Sequence, residues 1–236
     1  MTAPTSSEAL VTMDMDWAPD EVIEDSVSLL NEHGVSATLF LTNPTRVDLT
    51  GHEIAVHPNF DGADLTAPIA KLLDSFPGAV GTRSHSLFFS YRLIEVYEKL
   101  GIRYQSNVIA YKQHHLNAFQ ISRRVAEFPI YFMDNIHLLM EPKSASFDAG
   151  SLALDLPGLK IFDFHPIHVF LNTENLERYN GAKPFYQQPK ELVARRNRQG
   201  KGTRDLFVDL LRTLAKRKAR TGHLRSWLDA SFQWTF

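Results

Sequence analysis

Residues 12–20 of the chain read Thr-Met-Asp-Met-Asp-Trp-Ala-Pro-Asp. The apolar run before them predicts a short strand that ends in two carboxylates, Asp14 and Asp16, which the period of a strand places on one face. Charges this close repel each other unless a cation or a shared proton is present, and a divalent metal is the usual remedy. The stretch also fits a strand followed by an acidic turn and a helix start, since Asp20 after Pro19 suits an N-terminal cap. Taken alone, it does not decide between these interpretations.

The composition is that of an ordinary globular protein. The 236 residues are 44% hydrophobic and 22% charged, with a formal net charge of -2, which indicates neither disorder nor a membrane protein. This length suits one large α/β domain, and we treat residues 1–236 as a single domain. The chain has no cysteine, which excludes disulfides, cysteine nucleophiles and thiolate metal sites. Any metal must therefore be bound by Asp, Glu, His or Asn.

The distribution of charge and hydropathy bears on location and partners. The N-terminus lacks the basic and apolar regions of a signal peptide, and no apolar run approaches the length of a membrane span. We therefore expect a cytoplasmic protein with no integral membrane segment and no nucleic-acid partner. The stretch from Lys190 to Arg225 holds 12 of the 25 Lys and Arg residues against three acids. This basic C-terminal face is either a solvated surface or a point of peripheral contact with anionic lipid or a nucleotide diphosphate.

Strand and helix patterns alternate along the chain. The apolar periodicity predicts helices over 20–33, 64–76, 91–100 and 203–220. Apolar and β-branched runs predict strands over 9–13, 35–42, 51–57, 79–83, 103–110, 128–132 and 159–164. Repeated units of this length favour a parallel sheet, open or closed into a barrel. Residues 175–202 are expected to be irregular, and the helix over 203–220 is expected to close the domain.

Titratable residues follow the predicted strands at the points where they end. In a parallel α/β fold these ends lie on the same side of the sheet, so the side chains can converge on one mouth. An Asp, a His and one further ligand suit zinc or a similar divalent ion, and another Asp and a late His remain for proton transfer. The residues concerned are Asp14, Asp16, His57, Arg83, His85, Asp134 and His165.

Five segments, in this order, resemble the motifs of the polysaccharide deacetylase superfamily, which has the NodB-homology fold and includes carbohydrate esterase family four. The resemblance spans roughly residues 9–172. Its most specific sequence segments resemble those of a branch of the superfamily that is associated with bacterial surface-polysaccharide biosynthesis. The five segments are 12–16 (TMDMD), 51–57 (GHEIAVH), 81–83 (GTR), 128–134 (FPIYFMD) and 161–166 (IFDFHP).

The resemblance implies a distorted (β/α) barrel of about seven parallel strands and a metal-dependent hydrolase that removes an N-acetyl or O-acetyl group from a sugar. The substrate would be an acetylated sugar or a carrier-linked sugar. One divalent metal is implied, with zinc first among the candidates and cobalt, nickel, manganese or iron as alternatives.

The motifs also imply roles for particular residues. Asp14 would be the general base and His165 the general acid. Arg83 would orient Asp14, with support from Asp134. Asp16 and His57 would be metal ligands.

The third metal ligand departs from the family pattern. The second motif usually supplies another histidine four residues after His57, and this chain has Asp61 there. Either Asp61 replaces that histidine or His85 reaches in from the next strand, and we favour His85 because an imidazole suits the same metals.

Two other functions compete with the deacetylase. One is a catalytically impaired member that keeps the cleft for carbohydrate binding or partner docking after the change at position 61. The other is a metal-dependent phosphoesterase, which needs more ligands for two metals than the sequence supplies.

Overall fold

The computed structural model describes residues 7–217 and 222–231. Nine strands form one sheet in the order β6-β7-β5-β4-β3-β2-β1-β9-β8. The strands are β1 (Ser7–Asp14), β2 (Ala37–Leu41), β3 (Glu53–Val56), β4 (Gly81–Thr82), β5 (Tyr104–Gln105), β6 (Phe119–Gln120), β7 (Ala126–Glu127), β8 (Ile130–Met133) and β9 (Gly158–Phe164). All neighbouring strands are parallel except β6 and β7, which form an antiparallel pair.

The helices follow the strands in alternation through the first half of the chain and then cluster in the second half. They are α1 (Asp20–Glu32), α2 (Ala67–Ser75), α3 (Tyr91–Leu100), α4 (Asp134–Met140), α5 (Pro166–Leu171), α6 (Leu176–Ala182), α7 (Pro189–Arg195), α8 (Thr203–Arg217) and α9 (Leu224–Ser231). Short 3₁₀ turns occupy His85–Leu87, Ala149–Leu152 and Lys183–Phe185. None of the helices in the described ranges is long and apolar enough to cross a membrane.

The sheet curls back on itself, which confirms the predicted distorted (β/α) barrel. The segment after β5 pairs in parallel with β8 through Ile109 and Ile130, and the amide of Ala110 donates to the carbonyl of Ile130 at 2.8 Å. The strand count differs slightly from the expected seven. Two residues, Phe128 and Pro129, separate β7 from β8, and β6 is only a short antiparallel addition.

Alternate residues of the strands face two different cores. On β1, Val11 and Met13 pack with the outer helices. The intervening Leu10 belongs to an inner cluster that also contains side chains from the other strands and from α9: Phe40, Ala55, Tyr104, Phe128, Ile161, Leu224, Trp227 and Leu228. Because the strand period is two, Thr12 and Asp14 share the inner face with Leu10. Asp14 is therefore aimed into the barrel at the end where β1 stops.

The helix that closes the barrel is α9. The amides of Leu224 and Arg225 donate to Thr38 Oγ1 and Glu53 Oε2, both at 3.0 Å, at the beginning of β2 and β3. Trp227 packs edge-on against Phe128 with ring centroids 5.4 Å apart. This helix covers the end of the barrel opposite to Asp14.

Two predictions about the C-terminal half are wrong. The helix predicted over 203–220 is present as α8, with residues 218–220 outside the described part, but it packs on the outside against α5 rather than closing the barrel. Residues 175–202, expected to be irregular, contain α6, α7 and the 3₁₀ turn between them. Both helices have seven residues, and helices this short depend on tertiary packing that periodicity does not reveal.

Candidate active site

Asp14 precedes a tight turn at the end of β1, and Asp16 lies within that turn. Asp14 is the last residue of the strand and is buried. Asp16 and Trp17 have φ values of 38° and 55°, in the left-handed region, and the amide of Ala18 closes the turn on the carbonyl of Met15 at 2.8 Å. The two carboxylates line one pocket of about 150 Å³ together with His57, His85 and His165.

Asp16, His57 and His85 form a group that could hold a metal ion, with ligand atoms that lie within 4.8 Å of one another. Oδ1 of Asp16 is 3.1 Å from His57 Nε2 and 3.1 Å from His85 Nδ1. Burial alone would raise the pKa of Asp16, but hydrogen bonds from the two imidazoles lower it well below its ordinary value. One carboxylate and two imidazoles that converge in this way fit zinc and similar divalent ions.

Asp61 stays outside this group. Its side chain is exposed, and Oδ1 accepts a hydrogen bond from Asn59 Nδ2 at 2.8 Å. It lines a second, wider pocket of about 540 Å³ that also contains Trp17 and His57. Of the two alternatives for a third ligand, the structure brings His85 to Asp16 and leaves Asp61 in the neighbouring pocket.

Arg83 holds Asp14 from inside the barrel. Its Nη1 donates to Asp14 Oδ1 at 2.8 Å, and its Nε donates to the carbonyl of Ser106 at 2.9 Å. Nη1 also pairs with Asp163, a fully buried residue of β9. Burial acts to lower the pKa of Arg83, but the two carboxylates raise it, so the guanidinium stays charged.

His165 lies close to the carboxylates of both Asp14 and Asp16. Its Nε2 lies 4.0 Å from Asp14 Oδ2 and 3.5 Å from Asp16 Oδ2. Its Nδ1 is 2.7 Å from Asp134 Oδ1, and its backbone amide donates to Asp134 Oδ2 at 2.8 Å. Although burial disfavours the charged ring, Asp134 raises the pKa of His165 well above its ordinary value.

The contacts of Asp134 differ from the expectation that it supports Arg83 and Asp14. Its carboxylate binds His165 instead, and the place beside Arg83 is taken by Asp163. Sequence analysis did not single out Asp163. A signal was present, because Asp163 lies in the buried strand β9 two residues before His165, and extended backbone directs residues with this spacing to one face.

Within the basic C-terminal face, the cluster that could bind a diphosphate is largely paired with acids, and its members are Arg195, Arg196, Arg198, Lys201 and Arg204. Arg195 pairs with Glu191, Lys201 pairs with Asp148, and Arg196 and Arg204 both pair with Asp25. Four of its five members, all except Arg198, are therefore in ion pairs. This favours the interpretation of a solvated face over a site for a carrier diphosphate.

Comparison with known proteins places this site in a family. The family model described as "WbmS-like: Polysaccharide deacetylase" matches residues 11–183, which carry every residue of the site described above. The chain belongs to this family of polysaccharide deacetylases. The membership confirms the resemblance seen in the five sequence motifs. No curated protein is significantly similar to the chain.

Solved structures agree with this membership. A protein from Bordetella bronchiseptica, described as a polysaccharide deacetylase involved in O-antigen biosynthesis, is 29% identical with a TM-score of 0.78, over 87% of this chain and 90% of its own. A polysaccharide deacetylase from Mycobacterium smegmatis is 13% identical, with a TM-score of 0.58 over 97% and 93% of the two chains. A family 4 carbohydrate esterase from Bacillus anthracis is 14% identical, with a TM-score of 0.50 over 97% and 86%. The last two show a shared fold alone.

Proposed function

We propose that the protein is a metal-dependent hydrolase that removes an N-acetyl or O-acetyl group from a sugar of a surface-polysaccharide precursor. The observation that carries the proposal is the arrangement around Asp16. Its carboxylate meets two imidazoles, with Asp14 held by Arg83 and His165 held by Asp134 beside it. Membership in a family of polysaccharide deacetylases supports the same chemistry.

In this proposal Asp16, His57 and His85 hold the metal, with zinc first among the candidates. A divalent ion bound there supplies a Lewis acid for the acyl carbonyl and the attacking water. Asp14 accepts the proton of that water. Arg83 occupies Oδ1 of Asp14, which leaves Oδ2 on the side of His165.

His165 donates the proton that the leaving nitrogen or oxygen requires. Its Nδ1 is committed to Asp134, so Nε2 is the atom that exchanges a proton with the pocket. Asp134 raises the pKa of His165, which favours the form of the ring that carries this proton. The base and the acid then reach the same small pocket from two different strands.

The rest of the substrate binds in the neighbouring pocket of about 540 Å³. The pocket at the site has a volume of about 150 Å³, which is smaller than the usual pocket for a complete ligand. The neighbouring pocket has a volume in the usual range. Trp17 lines this neighbour with 41% of its surface exposed and can pack on a sugar ring, while Asn59 and Asp61 can bind hydroxyls. We therefore favour a substrate larger than one acetylated sugar. The cytoplasmic location stays a prediction.

Acetate release tests the proposal. The metal-free protein, reloaded with zinc, is incubated with a free N-acetylhexosamine, a nucleotide-linked N-acetylhexosamine, an acetylated oligosaccharide and an O-acetylated sugar. We expect zinc-dependent acetate release, with a higher kcat/KM for a larger substrate than for the free sugar. Bound zinc without acetate release from any of the four would contradict the proposal and favour the binding-module alternative.

A further inference from the structure

Two side chains far along the sequence hold the turn that carries Asp16. The hydroxyl of Tyr186 donates to the carbonyl of Asp16 at 2.8 Å, and Nε2 of Gln187 donates to the carbonyl of Trp17 at 2.8 Å. Both donors follow the 3₁₀ turn at Lys183–Phe185. They lie just beyond residue 183, where the family match ends.

The turn requires such support because its backbone is strained. Asp16 and Trp17 are non-glycine residues in the left-handed region. Such a conformation is unfavourable for these residues and persists only where its surroundings define it. On the other side of the turn, the amide of Trp17 donates to Thr42 Oγ1 at 2.9 Å.

The donor segment is itself well anchored. The amide of Tyr186 donates to the carbonyl of Lys183 at 3.1 Å, and that of Gln188 donates to the carbonyl of Phe185 at 2.8 Å. Phe185 and Tyr186 pack on the main core, and the guanidinium of Arg195 covers the Phe185 ring at 3.5 Å. Because this segment is anchored to the core, its two side-chain donors can restrain the backbone of the turn.

We infer that Tyr186 and Gln187 are positioning residues that hold the Asp16 turn in its left-handed conformation and thereby pre-organise the metal site. The inference rests on the proposed function, because it assumes that Asp16 is a ligand. Both side chains act through backbone carbonyls of the turn. Groups that orient metal ligands in this indirect way typically contribute about 10–100-fold in metal affinity.

Zinc affinity provides the test. Tyr186→Phe keeps the packed ring and removes only the hydroxyl, while Gln187→Met alters an exposed side chain and leaves the core untouched. Each metal-free variant is titrated with zinc in competition with a chromophoric chelator, and its thermal unfolding is recorded without metal. We expect zinc dissociation constants about 10-fold higher or more for Tyr186→Phe and smaller increases for Gln187→Met.

Tyr131→Phe is the matched control. Tyr131 is a buried tyrosine whose hydroxyl donates to the backbone carbonyl of Leu152 at 3.0 Å, away from the turn. The Tyr131→Phe variant should lose a comparable hydrogen bond and still bind zinc with the affinity of the parent.

The outcomes separate this inference from the proposed function. Parental zinc affinity in both Tyr186→Phe and Gln187→Met, together with lost affinity in Asp16→Ala, would overturn the inference alone. Equal weakening in Tyr186→Phe and Tyr131→Phe would also overturn it. A parent protein that binds no zinc would overturn both proposals.

Discussion

At the scale of single residues, the site gives its two aspartates different surroundings. Asp16 meets two imidazoles, which suit a metal, whereas Asp14 meets a buried guanidinium. The two carboxylates also lie at different distances from His165, the residue that faces them both. These surroundings support our proposal that Asp16 holds an ion and Asp14 accepts a proton.

Asp14→Asn separates these roles. The amide cannot accept the proton of water at neutral pH, so turnover should fall by at least about 100-fold while zinc content stays at the parental level. Acetate release and metal analysis of the same preparation measure the two effects. Loss of zinc together with activity would mean that the roles of Asp14 and Asp16 are exchanged.

The third ligand can be decided by a matched pair of variants. His85→Ala removes an imidazole that lies 3.1 Å from Asp16, whereas Asp61→Ala removes an exposed carboxylate in the neighbouring pocket. We expect His85→Ala to weaken zinc binding by at least about 10-fold and Asp61→Ala to leave it unchanged. The opposite order of affinities would show that Asp61 replaces the missing histidine.

At the scale of elements, a buried carboxylate links β7 to the segment that follows β5. Glu127 accepts hydrogen bonds from Gln105 Nε2 at 2.7 Å and from the amides of Asn107 and Val108 at 3.0 Å. Burial outweighs these bonds and raises the pKa of Glu127 to about 7. The folded protein thus holds a proton at this position that the unfolded chain releases near pH 4.5.

The pH dependence of stability follows from this difference. Between about pH 4.5 and 7 the folded state binds more protons than the unfolded state, so the free energy of unfolding falls as pH rises. Relative to Glu127→Gln, the parent should lose about 2–3 kcal/mol between pH 5 and pH 8. Urea unfolding of both proteins at the two pH values measures this change. The variant Glu95→Gln, at an exposed position, serves as control. A difference in the free energy of unfolding between the parent and Glu127→Gln that does not change with pH would contradict the raised pKa of Glu127.

At the scale of the whole molecule, the barrel has one end that carries the proposed site and another end that is covered by a helix. The polar side chains of the site lie where the strands finish, and α9 covers the end where they begin. The carboxylate of Glu53 accepts from the first turn of α9 and from the hydroxyl of Tyr104 at 2.8 Å. A buried carboxylate thus accepts a hydrogen bond from an amide at the start of a helix, where negative charge is favoured.

Leu224→Ala tests this division. Leu224 is fully buried in the inner cluster, so its truncation should lower the free energy of unfolding by about 2–5 kcal/mol. Zinc affinity of the folded variant should stay at the parental value because the site lies at the other end of the barrel. Ser226→Ala, at an exposed position of α9, is the control for stability. Zinc binding that weakens in the Leu224 variant would show that the two ends are coupled.

Much of the barrel was predictable because local patterns define it. The alternation of apolar strands and amphipathic helices predicted α1 and α3 closely, and the rule that parallel strands end on one side predicted that Asp14, His57 and His165 converge. Other features depend on contacts between distant segments. The pairing of Arg83 with Asp163 and the closure by α9 join such segments, and no local period encodes them.

The Asp16 turn shows the same limit at the site itself. Strand alternation predicted one face for both carboxylates, but β1 ends at Asp14 and a left-handed turn directs Asp16. The side chains that hold this turn, Tyr186 and Gln187, come from a region that the sequence indicated to be irregular.

An anomalous-scattering map of zinc-loaded crystals tests the central claim most directly. The account predicts one zinc peak about 2.0–2.2 Å from a carboxylate oxygen of Asp16 and from ring nitrogens of His57 and His85, with Asp14 outside bonding distance. A peak bound by Asp14 or Asp61 in place of these ligands, or no peak at this end of the barrel, would contradict it.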